Sequence, residues 1–286
     1  MYSKLAAFIE KRKTKPSCRL LCKVLCVGLV ISALANFAAA LLMPEAPGTV
    51  VYEKNGAVID ASHSDQGYIM VGHASDKPQK MRISLKKTNL TYDLGGSGNL
   101  EPFPLQLGDG KYKVEIFEQI SGKKYSTVAS ISFDATVASE DLPFLYPSQY
   151  VSYHESSQAV QTSMELCAGA ETDAQKVEAI YRYMLNNMSY DYGFAAEVGQ
   201  GQHKGYLPTV DVTLASNTGV CFDFSALLAC MLRTQGIATK LVIGFADKVY
   251  HAWNYILIDG TWYQYDITAD ICQGQAAKSY TAERIY

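Results

Sequence analysis

Three residues in the carboxyl-terminal third of the chain are of the types that nucleophilic acyl transfer requires. Cys221 stands in the segment GVCFDFSALLACMLRTQG, whereas His251 and Asp266 both stand in HAWNYILIDGTWYQYDITAD. A thiolate attacks a carbonyl, an imidazole shares the proton, and a carboxylate orients that imidazole. Each residue alone is more often structural, as a core cysteine, a hydrogen-bonded histidine or a local cap. The three act together only if the fold brings them together.

Cys221 is predicted to lie in the first turn of a helix. The apolar residues that follow it recur at helical spacing, and Gly236 is a typical helix stop. The unpaired N–H groups and the positive dipole end of such a first turn stabilise a thiolate. The same N–H groups can receive an oxyanion. Cys230 falls inside this helix and is predicted to be a small buried hydrophobe.

A hairpin is predicted to bring His251 and Asp266 together. After the helix the sequence predicts three strands, over Ala238–Gly244, His251–Ile258 and Trp262–Ile267. The dipeptide Asp259-Gly260 joins the last two strands as a two-residue turn. This turn sets Trp253 opposite Asp266 and His251 opposite Thr268, so His251 and Asp266 become diagonal neighbours on one face. A slip of one residue would place them on opposite faces.

Read together, these segments resemble the transglutaminase-like superfamily of papain-like cysteine enzymes. The pattern is G-x-C-x-D-x-(S/A)-x-L-L, then H-A-W, then W-x-x-x-D-x-T, and the resemblance covers about residues 140–286. The segments FLYPSQYV, NMSYDY and DVTLASNTGVC also resemble bacterial exported members. The resemblance implies an α+β fold with helices packed on an antiparallel sheet. It makes Cys221 the nucleophile, His251 the general base and acid, and Asp266 the residue that orients His251.

The reaction implied by the resemblance is acyl transfer on protein or peptide amides through a thioester on Cys221. An amine then completes a transamidation, or water completes a hydrolysis, and the sequence leaves transamidase, protease and deamidase open. No metal or other cofactor is expected, because the three residues require none. The alternative from another class is a non-catalytic cell-envelope module that keeps the fold and binds peptide or glycan.

The second oxyanion donor is a departure from the family pattern. Several members use a tryptophan upstream of the nucleophile, whereas Trp253 and Trp262 both follow Cys221. The sequence offers three substitutes and does not choose between them, namely Tyr190, Tyr192 and Asn217.

Upstream of the transglutaminase-like domain predicted over residues 138–286, residues 44–137 are predicted to form a small β-sandwich-like domain. Three alternating runs carry this prediction: Met81, Ile83 and Leu85, then Tyr112, Val114 and Ile116, then Ala129, Ile131 and Phe133. Beyond a proline-containing boundary, helices are predicted over Ser156–Ala168 and Asp173–Asn187. Thr172 and Gln175 form a capping box at the start of the second helix. Residues 191–220 are predicted to be a loop that forms a wall of the substrate cleft.

The amino terminus predicts export. A basic segment precedes Val24–Met43, a run of about 20 uncharged residues that is long enough to cross a bilayer as a helix. The positive charge before this run predicts that the remainder of the chain is translocated. Because Ala38-Ala39-Ala40 resembles a cleavage site, residues 1–43 are either a signal peptide or a membrane anchor. The protein is therefore expected to be anchored with its carboxyl-terminal domains outside, or secreted.

Charge and cysteine usage limit the partners. The formal net charge of −3 gives no reason to expect a nucleic acid. The family resemblance and the predicted export together imply a protein or peptide substrate at the cell envelope. The membrane is an expected partner only through the amino-terminal helix. The four cysteines that follow residues 1–43 lack the spacing of a disulfide scaffold or a zinc site. A bridge between Cys167 and Cys272 is left open.

Overall fold

The computed structural model describes residues 41–275 and 277–286. Nearly all of the predicted signal peptide or membrane anchor over residues 1–43 lies outside the described residues. Within the described part of the chain, no helix combines the length and the apolar character needed to cross a membrane.

The fold is of the predicted α+β class. The strands are β1 (Val51–Lys54), β2 (Ala57–Asp60), β3 (Tyr68–His73), β4 (Gln79–Leu85), β5 (Thr88–Leu94), β6 (Glu101–Pro104), β7 (Gly110–Ser121), β8 (Lys124–Ala135), β9 (Ser189–Tyr190), β10 (Thr218–Gly219), β11 (Thr239–Ala246), β12 (Val249–Ile258), β13 (Thr261–Tyr265) and β14 (Tyr280–Ile285). The helices are α1 (Gln158–Leu166), α2 (Asp173–Asn187), α3 (Tyr192–Gly199), α4 (Val210–Ser216), α5 (Cys221–Arg233) and α6 (Ile267–Ile271).

The first eight strands form two antiparallel sheets, in the orders β1-β2-β3-β6 and β5-β4-β7-β8. The three alternating runs predicted from the sequence are confirmed as parts of β4, β7 and β8. They also meet in register, with Ile83 opposite Val114, and Val114 opposite Ile131. The buried cluster that contains these side chains continues into the helices of the carboxyl-terminal half. Because the core is shared, a separate sandwich domain with boundaries at 44 and 137 stays a prediction.

The two predicted helices before the site are present. Helix α2 has the predicted bounds, and its capping box forms as expected: the N–H of Gln175 donates to the Thr172 hydroxyl oxygen at 3.3 Å. The Gln175 side chain accepts the N–H of Thr172 at 3.2 Å in return. Helix α1 is shorter than predicted, since it begins at Gln158 and ends at Leu166.

Residues 191–220 are not the loop that the sequence predicts. They contain α3, α4 and the short strand β10, which pairs in parallel with β9. Asp191 caps α3 by accepting the N–H of Phe194 at 2.8 Å. Gly193 lies in the first turn of α3 and Gly199 ends it, whereas Gly201 and Gly205 lie in the connection to α4, so none of them interrupts the middle of a helix.

The carboxyl-terminal half is organised around α5, which lies against the sheet β13-β12-β11-β14. Its residues from Asp223 to Arg233 are all buried. Such a helix, hydrophobic on every side, belongs in the interior. Cys221, at the first position, is only partly buried. The core thus fixes the helix along its length and leaves its first residue reachable.

Arg233 anchors the far end of α5 through hydrogen bonds to main-chain oxygens. Its guanidinium donates to the carbonyls of Tyr146 at 2.7 Å, Thr239 at 2.7 and 3.0 Å, and Tyr286 at 3.0 Å. The side chain is 1% exposed, and burial lowers its pKa to about 10. One buried cation therefore ties the boundary segment, β11 and the end of β14 to the helix that carries Cys221.

Replacing Arg233 by methionine should lower the free energy of unfolding by roughly 3 kcal/mol or more, because buried carbonyls lose their donor. Urea unfolding of R233M against the wild type measures the loss. The matched control is R182M, since the side chain of Arg182 is 73% exposed and should cost far less. A loss for R233M below about 1 kcal/mol would show that water or repacking satisfies these carbonyls.

Candidate active site

The β12–β13 hairpin has the predicted register. Ile258 lies opposite Thr261 and Asn254 opposite Tyr265, and the same register carried one pair further sets Trp253 opposite Asp266. Asp259 and Gly260 have φ values of 49° and 75°, the left-handed pair that a two-residue type I′ turn requires. The alternation of side chains then places His251 and Asp266 on one face.

The predicted extension of the last strand to Ile267 is wrong, and with it the pairing of His251 with Thr268. Strand β13 ends at Tyr265 and α6 begins at Ile267. The physical reason is that Asp266 caps the new helix: its Oδ1 accepts the N–H of Ala269 at 3.0 Å. The sequence signal for this cap was present, because aspartate is a preferred N-cap residue.

His251 and Asp266 form a direct hydrogen bond. His251 Nε2 donates to Asp266 Oδ2 at 2.9 Å, and the two side chains are 14% and 10% exposed. Because the ionised carboxylate only accepts, the proton lies on Nε2 and leaves Nδ1 to exchange a proton with a second partner. Burial lowers the pKa of His251, but the bond to Asp266 and the interaction with Cys221 outweigh it and raise this pKa to about 10.

Asp266 accepts a further hydrogen bond that the sequence analysis missed. The hydroxyl of Tyr280, on β14, donates to the same Oδ2 at 2.8 Å. Burial opposes ionisation of Asp266, but the bonds from His251, Ala269 and Tyr280 hold the pKa of its carboxyl below the ordinary value. Nothing in the segment around Tyr280 signals this contact, because it depends on the pairing of β14 with β11.

Cys221 occupies the first position of α5, as predicted. The turn is held by Asp223, whose Oδ2 accepts the N–H of Val220 at 2.9 Å and whose Oδ1 accepts the hydroxyl of Tyr206. Burial raises the pKa of the Asp223 carboxyl, and these two hydrogen bonds offset part of the rise. A Cβ at Gly219 would meet the Cβ of Asp223 at 2.8 Å. The G-x-C-x-D pattern therefore follows from two local requirements. Only glycine fits beside Asp223 at position 219, and the aspartate accepts the N–H of Val220 before the helix begins.

The three candidate oxyanion donors lie at different places. Tyr190 pairs with Gly219, which precedes the nucleophile by two residues. The pKa of the Tyr190 hydroxyl is raised to about 12, first by burial and then by the nearby Cys221. Tyr192 is 72% exposed. Asn217 ends α4 in a left-handed conformation. Of the three, Tyr190 is the one held beside the start of α5.

The cysteines of the described residues are all free. Cys167 and Cys272 do not form the bridge that the sequence left open. Cys230 is fully buried as predicted, and burial raises the pKa of its thiol. Cys272 is exposed at the end of α6.

Comparison with known proteins identifies the segment that holds this site. Residues 160–267 match the family model of the Transglutaminase-like superfamily. The segment is a transglutaminase-like domain. Cys221, His251 and Asp266 all fall inside it, whereas Tyr280 falls beyond it.

Relatives of the transglutaminase-like domain include a peptidase. Human kyphoscoliosis peptidase is 24% identical over 232 residues, which are 74% of this chain and 33% of the human protein. The mouse kyphoscoliosis peptidase is 26% identical over 36% of this chain and 17% of its own length. The chain thus spans a third or less of the length of these curated relatives.

Solved structures that match this chain do so with low TM-scores. A proposed cysteine protease from Cytophaga hutchinsonii is 17% identical, covers 71% of this chain and 74% of its own, and superposes with a TM-score of 0.37. The periplasmic domain of TgpA from Pseudomonas aeruginosa is 12% identical over 78% of this chain and 96% of its own, with a TM-score of 0.36. Scores this low do not establish a common fold over the whole chain.

The imidazole of His251 should titrate near pH 10 in the folded protein, and nitrogen NMR shifts of the ring measure the midpoint. Since this pKa is raised above the ordinary 6.5, the stabilisation is fully present below about pH 6.5 and is lost as the pH rises through about 10. D266N removes the anion and should move the midpoint toward the ordinary value.

The matched control for D266N is D270N. Asp270 lies on the same short helix and accepts the hydroxyl of Tyr181 at 2.5 Å instead of the imidazole. Its amide variant should leave the His251 midpoint near that of the wild type. A wild-type midpoint near 6.5 would mean that the His251–Asp266 bond does not hold the imidazolium in solution.

Proposed function

We propose that the protein is an exported cysteine-dependent enzyme that transfers acyl groups from protein or peptide amides. Cys221 is the nucleophile, His251 the general base and acid, and Asp266 the residue that orients the imidazole. The observation that carries the proposal is the 2.9 Å bond between His251 and Asp266, together with the interaction of His251 with Cys221 that helps to raise the pKa of the imidazole. This is the nucleophile, base and orienter arrangement of covalent catalysis.

The first half-reaction forms a thioester. His251 holds the proton of the Cys221 thiol, and the sulfur attacks the carbonyl carbon of the amide. The negative charge that develops on the carbonyl oxygen is received by backbone N–H groups of the first turn of α5, which have no acceptor within the helix. The C–N bond then breaks as His251 gives its proton to the departing nitrogen.

The second half-reaction releases the acyl group. An amine or a water attacks the thioester carbon while His251 takes the proton of the attacking group. The C–S bond breaks, and the proton returns to the sulfur of Cys221. Transamidation, hydrolysis of a peptide bond and deamidation share these steps, since they differ only in the amide attacked and in the group that reaches the thioester.

We extend the proposal to location and domain organisation. Residues 1–43 act as a signal peptide or membrane anchor, and residues 44–137 form a β-sandwich domain that presents a protein or peptide substrate at the cell envelope. The uncharged run Val24–Met43 after a basic segment supports translocation. A fusion of residues 1–43 to a reporter that is active only outside the cytoplasm tests this part independently of the chemistry.

The rival function is a non-catalytic module that binds peptide or glycan in the same cleft. The complete set of Cys221, His251 and Asp266 favours the enzyme, because a binding role needs none of the three. A thiolate paired with an imidazolium also reacts faster with alkylating reagents than a free cysteine does at neutral pH, where the free side chain is mostly protonated. Iodoacetamide labelling of Cys221 therefore separates the two functions without a known substrate.

C221A should abolish both turnover and thioester formation. H251A should lower turnover by about 10³-fold or more, and D266N by a smaller factor, as is usual when an orienting residue is lost. Incorporation of a fluorescent amine into casein, ammonia release and peptide release measure the three outcomes of the thioester. Mass spectrometry of acyl groups trapped on Cys221 from envelope extracts identifies the donor.

The control is C272A, which removes the exposed thiol at the end of α6. This variant should keep turnover and the fast labelling of Cys221. If Cys221 is alkylated no faster than a free thiol, and C221A leaves every measured activity intact, the protein is not a cysteine enzyme.

A further inference from the structure

Among the described residues, Tyr280 is the one side chain outside the predicted triad that bonds to the candidate catalytic carboxylate. Its hydroxyl and His251 Nε2 share the same oxygen of Asp266, at 2.8 and 2.9 Å. The other oxygen is occupied by the N–H of Ala269. Both oxygens of the carboxylate are therefore held, and Oδ2 cannot rotate away from His251 without breaking the bond to Tyr280.

The sheet places Tyr280 where it can make this bond. Tyr280 pairs with Ala246 on β11, and Ala246 pairs with Val249 on β12. Since side chains alternate along a strand, Tyr280 projects from the same face as His251 and Trp253. Its ring packs edge-on against Trp253 at 5.1 Å, and Trp253 in turn stacks at 6.5 Å from the ring of His251.

The packing of the ring leaves the hydroxyl as the group that acts on Asp266. Trp253, on β12, is 1% exposed, and the Tyr280 ring packs against it across β11, so the ring has a fixed position. The hydroxyl then reaches the carboxylate, which begins α6 beyond the opposite edge of the sheet. Replacing tyrosine by phenylalanine keeps this position and removes only the donor.

We infer that Tyr280 is a positioning residue for the acyl-transfer reaction, which fixes the Asp266 carboxylate so that His251 presents Nδ1 to Cys221. The inference rests on the proposed roles of these three residues. Tyr280 does not touch the substrate in this role; it acts through Asp266. Without its hydroxyl, Oδ2 keeps only the imidazole as a donor and the carboxylate can swing about its remaining bond to the backbone.

The charges around the carboxylate set the expected pH response. Three titratable side chains lie around the Asp266 carboxylate: His251 on β12, Tyr280 on β14 and Tyr181 on α2. Cys221 lies on the other side of the imidazole, and Asp247 lies near Tyr280. The hydroxyl of Tyr280 stabilises the ionised carboxylate, so its loss raises the pKa of Asp266. As the pH falls, Asp266 then becomes protonated at a higher pH than in the wild type, and the His251 imidazolium loses its anionic partner there.

The test is the rate of iodoacetamide alkylation of Cys221 in Y280F, followed against pH. We expect the acid limb to move to higher pH, together with about a tenfold fall in kcat at nearly unchanged KM, the size of one lost hydrogen bond to a charged group. Nitrogen NMR relaxation of the His251 ring should also show a more mobile ring in Y280F. A merely structural role would lower stability without moving the pH profile.

The matched control is Y263F. Tyr263 lies on β13 opposite Ile256, on the other face of the sheet from Asp266, and is 49% exposed. It should leave the profile and kcat unchanged. An unchanged profile in Y280F, with fast alkylation of Cys221 in the wild type, overturns the role of Tyr280 alone. Slow alkylation of Cys221 in the wild type overturns the proposed function instead.

Discussion

The carboxylate of Asp266 has to be satisfied by donors from three separate elements. It receives the imidazole of β12, the backbone of α6 and the hydroxyl of β14. A charge that is 90% shielded from water is costly unless hydrogen bonds replace its hydration. The hairpin, the short helix and the edge strand must therefore assemble together. The same hydrogen bonds to Asp266 orient the His251 ring and cap the first turn of α6.

The nucleophile depends on a different constraint, the burial of α5. Eleven consecutive residues of the helix, Asp223 to Arg233, are buried, and both ends are fixed by side chains that bond to backbone. Asp223 holds the entry at Val220, and Arg233 holds the exit through three carbonyl groups. Cys221 emerges where this rigid helix meets the surface. The site is thus built where the core ends, on elements that packing holds in place.

Much of the site could be predicted from the sequence because its determinants are local. Asp259-Gly260 specifies a turn type, the turn specifies the register, and the register places His251 and Asp266 on one face. The bounds of α2 follow from Thr172 and Gln175 for the same reason. Residues 191–220 were predicted wrongly because α3 and α4 are short: α3 forms from the Asp191 cap despite its glycines, and α4 packs against α1 and α5. Tyr280 could not be predicted at all, since its contact depends on β11 and β14 pairing at a distance along the chain.

The close approach of β14 to β11 has a consequence for how the domain can be divided. A Cβ at Gly244 would meet the carbonyl oxygen of Thr281 at 2.1 Å, so the last strand is fitted to a groove that only glycine leaves open. The segment that matches the family model ends at residue 267, before this strand. A graft of residues 160–267 onto another protein would carry Cys221, His251 and Asp266. The graft would leave β11 as an unpaired sheet edge, and Asp266 would lack the hydrogen bond from Tyr280. A graft that keeps these contacts must therefore extend beyond residue 267, the end of the match to the family model, and include β14.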